Sequence, residues 1–365
     1  MSDDGLPREP RGDADAADVR ADTSTSGRSH EGRDGRDGHD GHESRDGHRG
    51  ETAAPAAGFR SYYGRPVLKP PVWKWQVPAY LFTGGLSAGA ALLSAGADLT
   101  GRPALCRTGR LAGFGALLAS TCLLIADLGR PERFHHMLRV AKPTSPMSVG
   151  TWILVAYGPG SGLAAAAELL PASWRAGRPG RLLHRAGRAG GLWAAAFAPG
   201  LASYTAVLLS QTAVPAWHEA RRELPFLFTG SAAASGAGLG MLLAPVAEAA
   251  PARRLAAVGA AAELAAARLV ERRPGLEARA YTRGRAHRLR RAADFLTLGG
   301  ALAAVTVARR GRPAAAAAGL ALLAGSALQR FGTFEAGVAS TKDPAYVVVP
   351  QRARLDRLSE RGPDR

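Results

Sequence analysis

Cysteine is scarce: Cys106 and Cys122 are the only two in 365 residues. Two thiols cannot build a four-thiolate iron–sulfur site or a disulfide framework. Histidine is missing from every long apolar run. All nine (His30, His39, His42, His48, His135, His136, His184, His218 and His287) fall outside the runs described below. A transmembrane haem needs axial side chains at membrane depth, so a membrane cytochrome b is disfavoured. Acidic residues are also few, 30 against 47 Lys+Arg. They are concentrated in the first 58 residues, which hold 14 acidic and 8 basic side chains. The remainder therefore carries a net charge of +23.

Residues 1–58 lack any apolar h-region, so they do not read as a secretory signal. The stretch from Gly32 to Gly50 cycles through Gly, Arg, Asp and His. Such a chain cannot bury enough apolar surface to offset its ordering entropy, and a disordered tail is expected. His39, His42 and His48 could hold a metal ion only loosely. Residues 351–365 read as a polar C-terminal tail.

What remains, 59–350, is rich in Ala, Leu and Gly and breaks into apolar blocks. A spanning helix needs about 20 mostly apolar residues. The runs at 77–98, 109–128, 147–169, 190–212, 225–247, 253–270, 291–309 and 313–331 predict an all-α integral membrane protein of eight transmembrane helices. Short arginine-rich connections and small residues such as Gly84, Gly85 and Gly89 fit helices that associate by close approach in lipid. The arginines are spread over nearly every connection and form no single stripe, which argues against nucleic acid as a partner and for anchoring in a membrane. Leu81–Gly84 recurs as Leu227–Gly230, and the pattern from Arg110 recurs from Arg254. The two matches, in the same order, suggest two four-helix halves of the same orientation. Lys and Arg are nearly balanced between the two sides. Arg60, Arg65, Lys69 and Lys74 tip both termini towards the cytoplasmic side of the plasma membrane.

Ionisable groups in or beside the runs are the candidates for function, because charge is costly in lipid. Asp127 ends the second run, with Arg130 and Arg133 close enough in sequence to pair with it. Glu263 is the deepest acid, with Arg268 five residues on as its expected partner. The connection at 127–152 and the segment Pro215–Glu219 carry more chemistry than anchoring requires. Both belong to the side on which Gln76 and Tyr80 open the first run. Tyr, His, Asp and Gln near a water interface suit the carbonyl oxygens and protons of a quinone.

The run YYGRPVLKPPVWKWQVPAYLFTGGLSAGAALLSAGADLTGRPAL at 62–105 resembles the NrfD-like family, which includes the membrane subunit of polysulfide reductase. The blocks at 127–154, 203–226 and 334–352 are similar to the same family. The resemblance implies eight helices in two four-helix bundles and exchange of electrons with the quinone pool, menaquinone or ubiquinone. It implies no haem or iron–sulfur cluster in this chain. It also implies a ferredoxin-like iron–sulfur subunit docked on the membrane face, joined to a catalytic subunit, often of the molybdopterin type. Carried over by position, Gln76, Tyr80 and His218 would hold the quinone, Tyr80 standing nearest to where the family leads one to look for a histidine. Asp127, Glu219 and Glu263 are the candidate proton relays, and Arg130, Arg133 and Arg139 the candidate docking residues. The competing class is a proton-translocating or transporter-like module without a redox role, with which the repeat and Glu263 are also compatible.

Overall fold

In lipid each backbone N–H and C=O must be paired within its own segment, so long apolar runs wind into helices. The computed structural model describes residues 67–171 and 177–360. The predicted tail at 1–58, with His39, His42 and His48, lies outside the described residues. Helix α1 is Gln76–Leu99 and α2 is Pro103–Ala126, followed by a 3-10 helix, Pro131–Leu138. Next come α3 (Pro146–Leu169), α4 (Gly177–Ser210), the short α5 (Pro215–Glu219) and α6 (Leu224–Leu243). Then follow α7 (Ala250–Glu271), the single turn α8 (Arg279–Thr282), α9 (Gly284–Thr306), α10 (Arg312–Lys342) and α11 (Ala345–Glu360). No strand occurs among the described residues. The polar C-terminal stretch is thus helical as far as Glu360. Proline stands in the first turn of α2, α3, α5, α6, α7 and α10, where its missing N–H would have no partner anyway.

Among the described residues, five helices are long and apolar enough to cross a membrane: α1, α2, α4, α6 and α10. The other three predicted runs also form helices of 22–24 residues, α3, α7 and α9, but they fall short of that apolarity. The composition explains the shortfall. Helix α3 mixes Gly, Ser, Thr and Pro into its apolar run, α7 carries Arg253, Arg254, Glu263 and Arg268, and α9 opens on Arg285, His287, Arg288, Arg290 and Arg291. Helices α4 and α9 begin before their predicted segments, so His184 in α4 and His287 in α9 lie within helices, near their N-terminal ends.

The packing repeats. Helix α1 lies on α2 and α3 on α4; later α6 lies on α7 and α9 on α10. Helix α1 also crosses α6, which packs in turn on α4 and α10. The α1–α6 crossing depends on glycine. A Cβ on Gly89 would lie 1.9 Å from the backbone oxygen of Ala232, and one on Gly236 would lie 2.2 Å from the carbonyl carbon of Gly89. Backbone therefore meets backbone, the contact that small residues permit where lipid offers no hydrophobic drive to associate. The two copies of the Leu-Phe-Thr-Gly motif sit on this same pair of helices.

Candidate functional site

The end of the molecule at which α1 begins is held by a layer of aromatic side chains. Trp217 of α5 is fully buried, and its indole N–H donates to the carbonyl oxygen of Thr333 at 2.8 Å. Its ring stacks on Trp73, with centroids 5.8 Å apart, and lies beside Phe334 at 5.6 Å. Gly337 makes room for it, since a Cβ there would fall 1.9 Å from the indole Cε2. The Tyr281 hydroxyl donates to the carbonyl oxygen of Ala216 at 3.0 Å, and the Ala216 N–H donates to the Ser340 hydroxyl at 3.3 Å. Five residues cannot be stable as a helix alone; these contacts to α8 and α10 fix α5.

That anchoring sets His218. Its Nδ1 lies 3.1 Å from the carbonyl oxygen of Ser210. A carbonyl only accepts, so Nδ1 carries the proton in this contact and the neutral ring keeps Nε2 as an acceptor. His218 and Glu219 line a cleft of about 530 Å³ together with Gln211, Tyr346, Gln351 and Arg354. Leu68, Pro215, Val347 and Pro350 supply its apolar wall. A smaller cleft of about 280 Å³ shares Leu68, Thr212 and Ala213 with it and runs along Pro71–Trp73. Glu219 also faces Arg273 at 3.7 Å, an arginine held more closely by Glu223 at 3.0 Å.

The remaining predicted residues are distributed differently. Tyr80 is buried in the same apolar cluster as Trp217, Leu209 and Phe228, and lines neither cleft. No hydrogen bond with a described residue engages its hydroxyl. Gln76 has its side-chain oxygen buried without a hydrogen-bond partner among the described residues. Asp127 caps the C-terminus of α2. Burial pushes its carboxyl above the usual carboxylate range, while the backbone N–H and ammonium of Lys74 act to lower it. The expected pairing with Arg130 and Arg133 is not formed: among the described residues no ion pair joins them to Asp127. Beyond Ala126 the chain turns into the 3-10 helix, which carries Arg130, Arg133 and Arg139 outward. All three are exposed, beside the exposed Phe134, Leu138 and Val140.

Glu263 lies away from this layer, 2% exposed, inside the group formed by α6, α7, α9 and α10. Its polar neighbours are Arg330, Ser231 and Thr297. The predicted partner Arg268 points elsewhere, pairing with Glu271 at 3.0 Å and Asp294 at 3.8 Å. Five residues along an α-helix amount to a rotation of about 140° from the starting side chain, so one neighbour cannot serve both. Arg330 is the residue that sequence reasoning missed. It is fully buried, lies over the Phe228 ring at 3.8 Å and donates to the Phe228 carbonyl oxygen at 2.8 Å. The available signal was a lone arginine near the end of an Ala/Leu/Gly run.

An all-helical chain with five helices of membrane-crossing length and apolarity, joined by arginine-rich connections, is a multi-pass membrane protein. The family described as Polysulphide reductase, NrfD, matches residues 67–258, just over half of the chain. The chain belongs to the NrfD family, and that membership makes it a membrane subunit of the reductase-complex type, working with other subunits. The match takes in α1 to α6 and the start of α7, and therefore Gln76, Tyr80, Asp127, Trp217 and His218; the similar block at 334–352 lies outside it. Comparison with curated proteins finds no match.

Proposed function

We propose that this chain is the quinone-interacting membrane anchor of a multi-subunit oxidoreductase, passing electrons between the quinone pool of the plasma membrane and an iron–sulfur subunit. The observation that carries the reading is the NrfD match over the segments that carry Trp217 and His218, although Tyr281, Thr333 and the 346–354 wall of the cleft lie beyond it. In this reading α3, α7 and α9 cross the membrane with the five more apolar helices, giving eight spans in two four-helix bundles with both termini cytoplasmic.

The cleft suits a quinone headgroup, having polar His218, Gln211 and Gln351 beside an apolar wall. A bound quinone (menaquinone or ubiquinone) supplies two-electron, two-proton chemistry. His218 Nε2 accepts a hydrogen bond from a hydroxyl there, and Glu219 receives or returns the proton across the cleft. Asp127 and Glu263 are further proton-holding groups, and Gln76 and Tyr80, which line neither cleft, are the alternative quinone-holding pair at the start of α1. The exposed Arg130, Arg133 and Arg139 dock a ferredoxin-like iron–sulfur subunit, which links to a catalytic subunit of the molybdopterin type. This chain holds no haem or iron–sulfur cluster of its own. A proton-translocating module without a redox role is the second reading, favoured by the burial of Glu263 and Arg330 within one helix group.

The complex pulled down through this chain in detergent is expected to contain extractable quinone, iron and molybdenum. A lone, metal-free chain that takes up no added quinone would favour the second reading. A quinone held by Tyr80 rather than in the cleft would make Tyr80→Phe slow quinone-linked electron transfer about tenfold, the worth of one hydrogen bond of roughly 1–1.5 kcal/mol, with assembly unchanged. Wild-type turnover in that variant would remove Tyr80 from the site. His218→Leu, assayed in parallel, separates the cleft from the buried tyrosine.

A further inference from the structure

A cleft larger than the two above lies among the described residues at the opposite end of the first four helices. It has a volume of about 610 Å³, and its wall comes from the end of α1, the α1–α2 turn, the end of α3 and the start of α4. Four arginines line it, Arg102, Arg110, Arg181 and Arg185, with His184 and two carboxylates, Asp98 and Glu168. Both carboxylates are already matched. Asp98 meets Arg188 at 2.8 Å and Arg110 at 3.8 Å, and Glu168 meets Arg110 at 2.8 Å. Arg110 is buried and held by these pairs. Arg181 and Arg185 are exposed and form no ion pair with a described residue. Arg102 reaches the carbonyl oxygen of Ala247 at 3.4 Å, and its Nε is buried without an acceptor among the described residues. The cleft therefore carries positive charge beyond what its own acids neutralise.

Its surroundings are apolar and open. Leu99, Leu169 and Leu182 are 66%, 68% and 70% exposed, and each adjoins a lining residue in sequence. At the end of membrane helices such leucines face acyl chains. Excess arginine in a cleft with exposed leucines around it fits a molecule that is anionic at one end and hydrocarbon at the other. We infer that this cleft binds the phosphate headgroup of an anionic phospholipid, with Arg102, Arg181 and Arg185 as its cationic ligands and the lipid tails lying along the leucines. Basic pockets between membrane helices recognise headgroups in this way.

The test uses the full chain, with any subunits that co-purify, in phosphatidylcholine nanodiscs. Phosphatidylglycerol is titrated in, and its retention is read by native mass spectrometry. Arg181→Gln with Arg185→Gln is expected to weaken retention about thirty-fold, which corresponds to about 2 kcal/mol at roughly 1 kcal/mol per arginine. Arg181→Lys with Arg185→Lys should keep most of it. Arg107→Gln with Arg288→Gln removes the same charge from exposed positions outside the cleft and should change little. Equal retention in the cleft variant and the wild type would overturn the proposal, as would equal retention of phosphatidylcholine and phosphatidylglycerol. Binding of added inorganic phosphate with no retained lipid would assign the cleft to a soluble anion instead.

Discussion

Arg330→Leu is expected to be the most damaging single substitution of a polar residue in the chain. It leaves Glu263 buried at 2% exposure without the one opposite charge described among its neighbours. It also removes the donor to the Phe228 carbonyl oxygen and the cation above the Phe228 ring. The two side chains form no direct ion pair, and Glu263 Oε2 and Arg330 Nε have no hydrogen-bond partner among the described residues, so the expected cost is that of stranding buried polar groups, roughly 1–3 kcal/mol. Replacing both partners with uncharged groups costs far less, since no charge is then stranded. The single variant should lose most of its monodisperse protein on mild heating in detergent, and Glu263→Gln with Arg330→Leu should recover the larger part. A double variant no more stable than the single one would show that the guanidinium acts by packing against Phe228 rather than by its charge.

Gly89→Leu should separate α1 from α6. The obstacle to a side chain at this position is the backbone oxygen of Ala232, which cannot swing aside as a flexible side chain would. Even Gly89→Ala places its methyl carbon 1.9 Å from that oxygen. Overpacking typically costs about 1–3 kcal/mol, and a clash with backbone belongs at or above the upper end. Gly96→Ala is the matched control, in the same helix but with nothing within 4 Å of the added carbon. The expected result is normal membrane yield and thermal stability for Gly96→Ala, with sharply reduced values for Gly89→Ala and Gly89→Leu. Equal stability of the two alanine variants would mean that α1 and α6 do not cross this closely. Because α1 carries Gln76 and Tyr80 and α6 follows His218, the same variants should lower quinone-linked activity per assembled complex.

The helices were legible because hydropathy is a property of contiguous residues. A run of alanine, leucine and glycine must satisfy its backbone internally wherever water is excluded, whatever surrounds it. The eight predicted runs all contain helix, and the family-bearing blocks fall on α1, the 3-10 connection and the α4–α5 region. Their limits were less legible, since α4 begins well before its apolar stretch in arginine-bearing sequence, and α10 continues past its own to Lys342. Apolarity stops where lipid stops, whereas helical hydrogen bonding does not.

Partnership was the part that local reasoning missed. Proximity in sequence pairs Glu263 with Arg268, but helix geometry turns that arginine towards Glu271 and Asp294. The arginine whose charge acts on Glu263 is Arg330, on another helix. Asp127 likewise meets Lys74, brought to it from before α1, while Arg130 and Arg133 are turned outward. Tyr80 and His218, grouped by their common end of the molecule, lie apart, Tyr80 in a buried cluster with Trp217 and His218 in an open cleft. The sequence by itself determined a membrane protein of long helices in the NrfD family, because composition and motif are written along the chain. Only the tertiary structure decided which charges meet and which side chains share a cavity, because those depend on how helices distant in sequence cross, and close crossings such as Gly89 on Ala232 are fixed by packing in three dimensions.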